Sequence, residues 1–243
     1  MKETISAIAE NAIFVLEFLG IILLMFIIAY SVEKVAKIKS NEKERILSTK
    51  KIVVVGLFSA ISAILMVLEF GLPFAPPGIY KFDFSELPAL IVGFAYGPVA
   101  AVMTEFIKIV LKTFIKGTSS AFVGELANFV VGCSFVLPAS IIYRLKKTKT
   151  NAVISCVSGT ILITVVGSLF NAFYLVPTFA SMYGMPVEVI VSMGTEVNAN
   201  ITDLTSFILW AVAPFNLLKG AVISVITMLI YKKLSPILKD KNK

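Results

Sequence analysis

Apolar residues fill this chain in long blocks with few polar interruptions. Blocks at 11–31, 52–71, 98–115, 121–143, 152–176 and 214–231 each come close to the roughly 20 residues that cross a bilayer as a helix. A shorter helix is predicted over 86–96, opened by Ser85 as N-cap and ended by Gly97-Pro98. The pattern therefore predicts an all-α polytopic membrane helix bundle of seven spans. Between the second and third helices lies 71–88, whose four prolines and two glycines forbid a continuous helix. The stretch 178–204 is polar and is read as a loop, the run 205–213 is too short to cross alone, and Pro214 is placed in the first turn of the last span.

Charge orders these spans. Of 22 Lys and Arg, seven lie in 34–51, four in 144–149 and five in 232–243. Basic residues flanking apolar runs mark cytoplasmic loops. The chain is thus expected in the cell membrane as a multi-pass protein, with the N-terminus outside and the C-terminus cytoplasmic. Tyr30, Tyr96, Tyr143 and Tyr231 fall at the expected cytoplasmic ends, where interfacial tyrosines belong. The net charge of +7 does not imply nucleic acid, because the cations are spread over membrane-flanking loops. The mean hydropathy of +0.92, with 58% apolar residues in 243, leaves no room for a soluble catalytic or nucleotide-binding domain. Histidine is absent, Cys133 and Cys156 lack ligand spacing, and no G-x-x-x-x-G-K-[ST] occurs. These features exclude a metal site of the usual kind, a P-loop ATPase and an intramembrane enzyme with a nucleophile–base pair.

Polar residues inside apolar blocks are costly and therefore informative. Lys219 stands out, in Ala213-Pro214-Phe215-Asn216-Leu217-Leu218-Lys219-Gly220, sharing a helix face with Asn216 at i and i+3. On the same outer side the pattern places Glu125 and Asn128, Asn171 and Tyr174, and the loop residues Tyr80, Lys81, Phe82, Asp83 and Phe84. Apolar and aromatic walls with a few polar groups are the composition of a small-molecule site. Each polar group also has a structural reading. Asn171 can bond another helix, Glu125 can pair with Lys112, Lys116 or Lys219, Glu105 and Lys108 can neutralise each other at i and i+3, and Glu17 can find a polar neighbour or snorkel. On 52–71, Gly56 with Ala60 and Ser59 with Ala63 form two small-xxx-small pairs, suited to internal helix contact or to a partner subunit.

Four strings carry a family resemblance: Leu72 to Pro88 with its Asp-Phe-Ser-Glu-Leu-Pro end, Gly124-Glu-Leu-Ala-Asn-Phe129, Asn171-Ala-Phe-Tyr-Leu-Val-Pro177, and Ala213 to Gly220. In order and spacing they resemble the substrate-binding S component of energy-coupling-factor (ECF) vitamin transporters, of the riboflavin-specific type. The resemblance covers about 50–235. It implies a six-helix substrate-binding core over 51–235, with 1–50 an extra N-terminal transmembrane helix and basic linker, and 236–243 a basic tail. It also implies high-affinity capture of riboflavin from outside as transported ligand, no cofactor, no ATPase of its own, and delivery inward with a membrane T component and two ATPase subunits. By the same resemblance, Asn216 and Lys219 would bond the polar edge of the flavin. Asn128, Glu125, Asn171 and Asp83 would meet ribityl hydroxyls or ring carbonyls, and Tyr80, Phe84 and Tyr174 would lie on the ring. Gly56, Ser59, Ala60 and Ala63 would fall on the T-component contact helix. Two alternatives stay open from the residues: an S component for another vitamin, and a free-standing transporter coupled to protons through Glu105 or Glu125.

Overall fold

A computed structural model describes residues 2–40, 45–76, 79–118, 120 and 122–238, with side chains from 16 to 39 in the first stretch and up to 234 in the last. Loop positions 77 and 78, and the expected basic tail from 239 onward, lie outside the described residues. The helices are α1 (Lys2–Ser40), α2 (Thr49–Val67), α3 (Glu86–Tyr96), α4 (Pro98–Lys116), α5 (Val123–Leu145), α6 (Lys149–Phe170), α7 (Val176–Met182), α8 (Val187–Thr195), α9 (Leu204–Phe207) and α10 (Ala213–Leu238). A short antiparallel pair, β1 (Phe70–Gly71) and β2 (Lys81–Phe82), sets Phe70 opposite Phe82 inside the proline-rich loop.

Among the described residues, five helical stretches are long and apolar enough to cross a membrane: Leu16–Lys39, Thr49–Val67, Val123–Leu145, Lys149–Met182 and Leu204–Leu234. α3, at 11 residues, reaches only about 16 Å. It is nonetheless buried along nearly its whole length, sheathed by α2, α4, α5 and α10. α4 has 19 residues but carries Glu105 and Lys108 on its buried face. The seven expected spans thus resolve into five apolar crossings, one short central helix and one charged helix.

Two boundaries differ from expectation for one physical reason. Pro177 does not end the sixth helix, nor does Pro214 open the last. A π-helical segment, Asn171–Leu175, joins α6 to α7, and a second, Ile208–Val212, joins α9 to α10. The N–H of Val176 reaches the carbonyl of Asn171, and that of Ala213 reaches Ile208, five residues back. Proline supplies no N–H and its ring collides with the carbonyl four residues back. Widening the turn just before each proline keeps the helix continuous. The last span begins at Leu204, where Asp203 and Ser206 form a reciprocal cap. Lys219 then lies about 22 Å along it, well past its start. The expected polar loop 178–204 contains α8, whose Ile190 and Val191 join Val176, Ala180, Ile201 and Phe207 in one apolar cluster.

The helix ends expected on one side do come together. Tyr143 stacks on Phe94 at 4.4 Å, and Tyr231 meets both edge-on at 5.7 and 5.4 Å. These tyrosines, with Tyr96, are buried rather than anchored outward, while Tyr30 is half exposed.

α1 runs against α4 and α5 through Ala29, Phe26 and Ile22. Glu33, fully buried on this face, accepts the N–H of Val99 at 3.0 Å. That amide lies in the first turn of α4, which has no side-chain cap of its own. Glu33 therefore caps α4 from another helix, where a carboxylate also complements the helix dipole. Gly97, at φ +108°, makes room for it, since a Cβ there would stand 3.0 Å from the carboxylate.

Glycines also set the approach of α6 to its neighbours. A Cβ on Gly159 would stand 2.9 Å from the backbone oxygen of Phe135 on α5. Gly159→Val should therefore force the helices apart and lower stability by about 1–3 kcal/mol. Thermal unfolding in detergent is the measurement, and an unchanged melting temperature would contradict this contact.

Candidate functional site

The costly polar residues converge where loop 72–85 returns into the bundle. Asp83 turns the chain, its Oδ1 accepting the N–H of Ser85 at 2.7 Å. Its Oδ2 faces α10 and accepts from Lys219 Nζ at 3.0 Å. Lys219 also contacts both carboxylate oxygens of Glu86 in the first turn of α3, at 3.1 and 3.0 Å. Glu86 in turn accepts from Lys108 at 3.1 Å, and Lys108 lies 2.7 Å from Glu105 one turn back on α4. Ser85 does not cap α3 with its hydroxyl as expected. Its Oγ accepts from Lys108 at 2.9 Å, and its carbonyl accepts from Ser62 of α2 at 2.6 Å. All seven side chains are buried. Three carboxylates and two ammonium groups therefore tie α2, the loop, α3, α4 and α10 together in an apolar interior. Isolated, each charge would be prohibitive; linked, each has a counter-ion.

Beside this cluster the loop meets the first π segment. Tyr80 donates its hydroxyl to Asn171 Oδ1 at 2.6 Å, while Asn171 Nδ2 donates to the carbonyl of Gly167 at 2.7 Å. Burial pushes the Tyr80 hydroxyl above its ordinary range, so it remains a donor. Its ring lies 5.6 Å from Phe215 and 6.1 Å from Phe207. Asn216 is buried against Gly167, with Nδ2 donating to Val212 at 3.1 Å. Phe84 stands edge-on to Phe82 at 5.3 Å. Outside the bundle, burial opposes ionisation of Glu69, but hydrogen bonds from Lys116 and Lys81 outweigh it and hold the carboxyl below its usual range.

The sequence-predicted residues thus divide. Lys219, Asp83, Tyr80, Asn171, Asn216 and Phe84 gather between the loop, α6 and α10. Glu125 instead pairs with Lys112 at 2.9 Å and accepts from Thr118 and Ser120, so its partner is Lys112 rather than Lys116 or Lys219. Asn128 bonds its own helix at Gly124, 2.9 Å away. Tyr174 stacks on Phe170 and donates to Glu17 of α1 at 3.0 Å, which gives Glu17 its polar neighbour. On α2, Gly56 and Ala60 lie toward the outside, whereas Ser59 and Ala63 are buried. A cavity of about 340 Å³ between α1, α4 and α5 is bordered by Glu125, Phe18 and Phe129, and a second of about 360 Å³ lies between α1 and α4 nearer the basic end of α1. Neither is bordered by Lys219 or Asn216. The sequence pattern marked Glu86 only as the start of the short helix and left Ser62 and Glu33 aside. Glu86 carried a signal, a carboxylate at the head of an otherwise apolar helix, but Ser62 carried none. Among the described residues, no group of His, Cys, Asp and Glu is arranged to hold a metal ion.

Comparison with known proteins adds to this geometry. The family model for the ECF transporter, substrate-specific component, matches residues 50–231. Riboflavin transporter FmnP of Bacillus subtilis (strain 168) is 34% identical over 191 residues, covering 78% of this chain and 94% of that protein. Riboflavin transporter RibU of Staphylococcus aureus (strain TCH60) is 34% identical over 191 residues, covering 78% and 93%. A solved structure described as "Structure and mechanism of the S component of a bacterial ECF transporter" aligns with TM-score 0.60 at 32% identity, covering 79% of this chain and 98% of that one.

The ion cluster is testable by itself. Lys108→Met leaves Glu86 and Glu105 short of a cation and should cost about 3–5 kcal/mol. Glu105→Gln removes the surplus negative charge and should cost less, and adding it to Lys108→Met should recover part of the loss. Equal melting temperatures for Lys108→Met and the unaltered protein would refute a coupled cluster.

Proposed function

The chain belongs to the ECF transporter substrate-specific component family, and from that premise we propose that it captures riboflavin outside the cell and delivers it inward with a T component and two ATPase subunits. As a transporter substrate-binding component it is not an enzyme. It is a multi-pass membrane protein, and we place its N-terminus outside and its C-terminus in the cytoplasm from the distribution of lysine and arginine. We read 51–235 as a six-helix core, with α1 added to it; the solved S component aligns to 79% of this chain.

One observation carries the reading: Lys219 of the closing helix is held by Asp83 of the outer loop, beside the Tyr80–Asn171 bond. A flavin needs donors for its ring carbonyls, polar partners for its hydroxyls and aromatic walls for its plane. Asn216 and Lys219 supply the donors, Asn171 and Asp83 the hydroxyl partners, and Tyr80 and Phe84 the walls. Asn128, Glu125 and Tyr174 complete the proposed set from the outer rim, each exchanging its present partner for the ligand. In this mechanism the loop is the door. Flavin takes the place of Tyr80 on Asn171 and of Asp83 on Lys219, so entry is coupled to a shift of the loop that leaves Asp83 and Tyr80 lining the site. A substrate that replaces those bonds offsets most of the cost of breaking them. For the T component we propose the outward face of α2, where Gly56 and Ala60 lie among exposed Leu57, Ile61 and Ile64. Ser59 and Ala63, facing inward, serve the bundle.

Purified protein should carry the yellow absorbance of bound flavin. Asn216→Ala and Lys219→Ala should weaken riboflavin binding by about 10- to 100-fold, the loss expected for hydrogen bonds to a buried ligand. Calorimetric titration, with melting temperatures as a fold control, is the measurement. A wild-type protein without flavin affinity, or variants binding as before, would end this reading. Reconstituted uptake should require the T and ATPase subunits and ATP. Uptake by this chain alone that collapses with the proton gradient would favour the proton-coupled alternative.

A further inference from the structure

Nearer the basic end of α1, where it meets α4, lies an apolar groove of about 360 Å³ lined by Phe26, Ile27, Val99 and Met103. Its walls change along its length. Toward the basic end of α1 they become Tyr30, Ser31 and Leu47. Ile27, Tyr30, Ser31 and Lys34 share one helix face, at i, i+3, i+4 and i+7. Lys34 is exposed one turn beyond the groove, and Arg45 is exposed two residues before Leu47. Lys37 and Lys51, in the same basic stretch, are buried and turned away from lipid. The groove thus runs from hydrocarbon-like walls, through two hydroxyls, to two exposed cations, over about 12 Å of helix from Phe26 to Lys34. A phospholipid has the same order: acyl chain, glycerol ester, phosphate. The groove is built by α1 against α4, and α1 precedes the residues matched by the family model.

We propose that this groove holds one acyl chain of an anionic phospholipid from the leaflet at the basic end of the bundle, its phosphate met by Lys34 and Arg45. Charge complementarity selects the occupant. Arginine and lysine hydrogen-bond a phosphate strongly, and exposed cations next to a membrane favour anionic lipid. The inference rests on the membrane orientation proposed above and is independent of flavin chemistry.

Full-length protein in mild detergent, titrated with dioleoylphosphatidylglycerol or dioleoylphosphatidylcholine and observed by native mass spectrometry, provides the test. One phosphatidylglycerol should be retained in preference to phosphatidylcholine by about 30-fold, as two cations near a lipid surface would give. Lys34→Gln with Arg45→Gln should erase that preference, and Ser31→Trp, which fills the mouth, should lose both lipids. Riboflavin affinity, measured on the same samples, should not change in either variant. Equal retention of the two lipids by the unaltered protein, or phosphatidylglycerol retention unmoved by both variants, would overturn the proposal. So would a Ser31→Trp protein that keeps phosphatidylglycerol and loses an associated polypeptide, which would give the groove to a protein partner. A preference for phosphatidylglycerol in a protein that binds no flavin would leave this inference standing while the riboflavin reading falls.

Discussion

Lys219 in the membrane interior is tolerable only because Asp83 and Glu86 meet it there. Around that contact loop 72–85 gains its position, the short helix α3 keeps a charged head in an apolar sheath, and α4 finds a partner for Lys108. Without water to screen them, these charges must stay within hydrogen-bond reach of one another. The ionic contact holds the loop to α10, alongside the Tyr80–Asn171 bond and the Tyr80 ring on Phe215. The same contact can be undone by a solute that supplies equivalent acceptors. In the proposed mechanism, stability and ligand capture would draw on the same atoms.

Much of this was legible in the chain, for a reason specific to membranes. A charge inside an apolar block has few places to go, so Lys219, Glu105 and Lys108 announced themselves, and the proline-rich segment before Glu86 marked the loop. The i, i+3 spacing of Glu105 and Lys108 correctly paired them. The destination of Lys219 was not legible, because Asp83 lies 136 positions away and nothing local distinguishes it from Glu125 as a counter-ion. Small residues on α2 were visible as two interleaved pairs, but only the bundle decides that Gly56 faces out and Ser59 in.

The π segments were hidden for another reason. Pro177 and Pro214 read as helix boundaries, since proline in a helix interior normally breaks it. The relief came from a widened turn on the N-terminal side of each, a backbone adjustment without a compositional mark. Missing it displaced the start of the last span and put Lys219 too near a helix end. It also matters for Tyr174, three residues beyond Asn171. In the wider turn those two side chains diverge, and Tyr174 reaches Glu17 of α1 while Asn171 faces the loop.

The carboxylate of Glu33 gives α1 a standing different from that of a simple membrane anchor. It completes the opening turn of a helix, accepting from an amide 66 positions further along the chain. A version trimmed to residues 50–231, the span matched by the family model, would strip that turn of its acceptor and bare the surface that Ala29 now covers. Anyone grafting this core into another transporter would have to bring the leading helix along or write a new cap at 97–99.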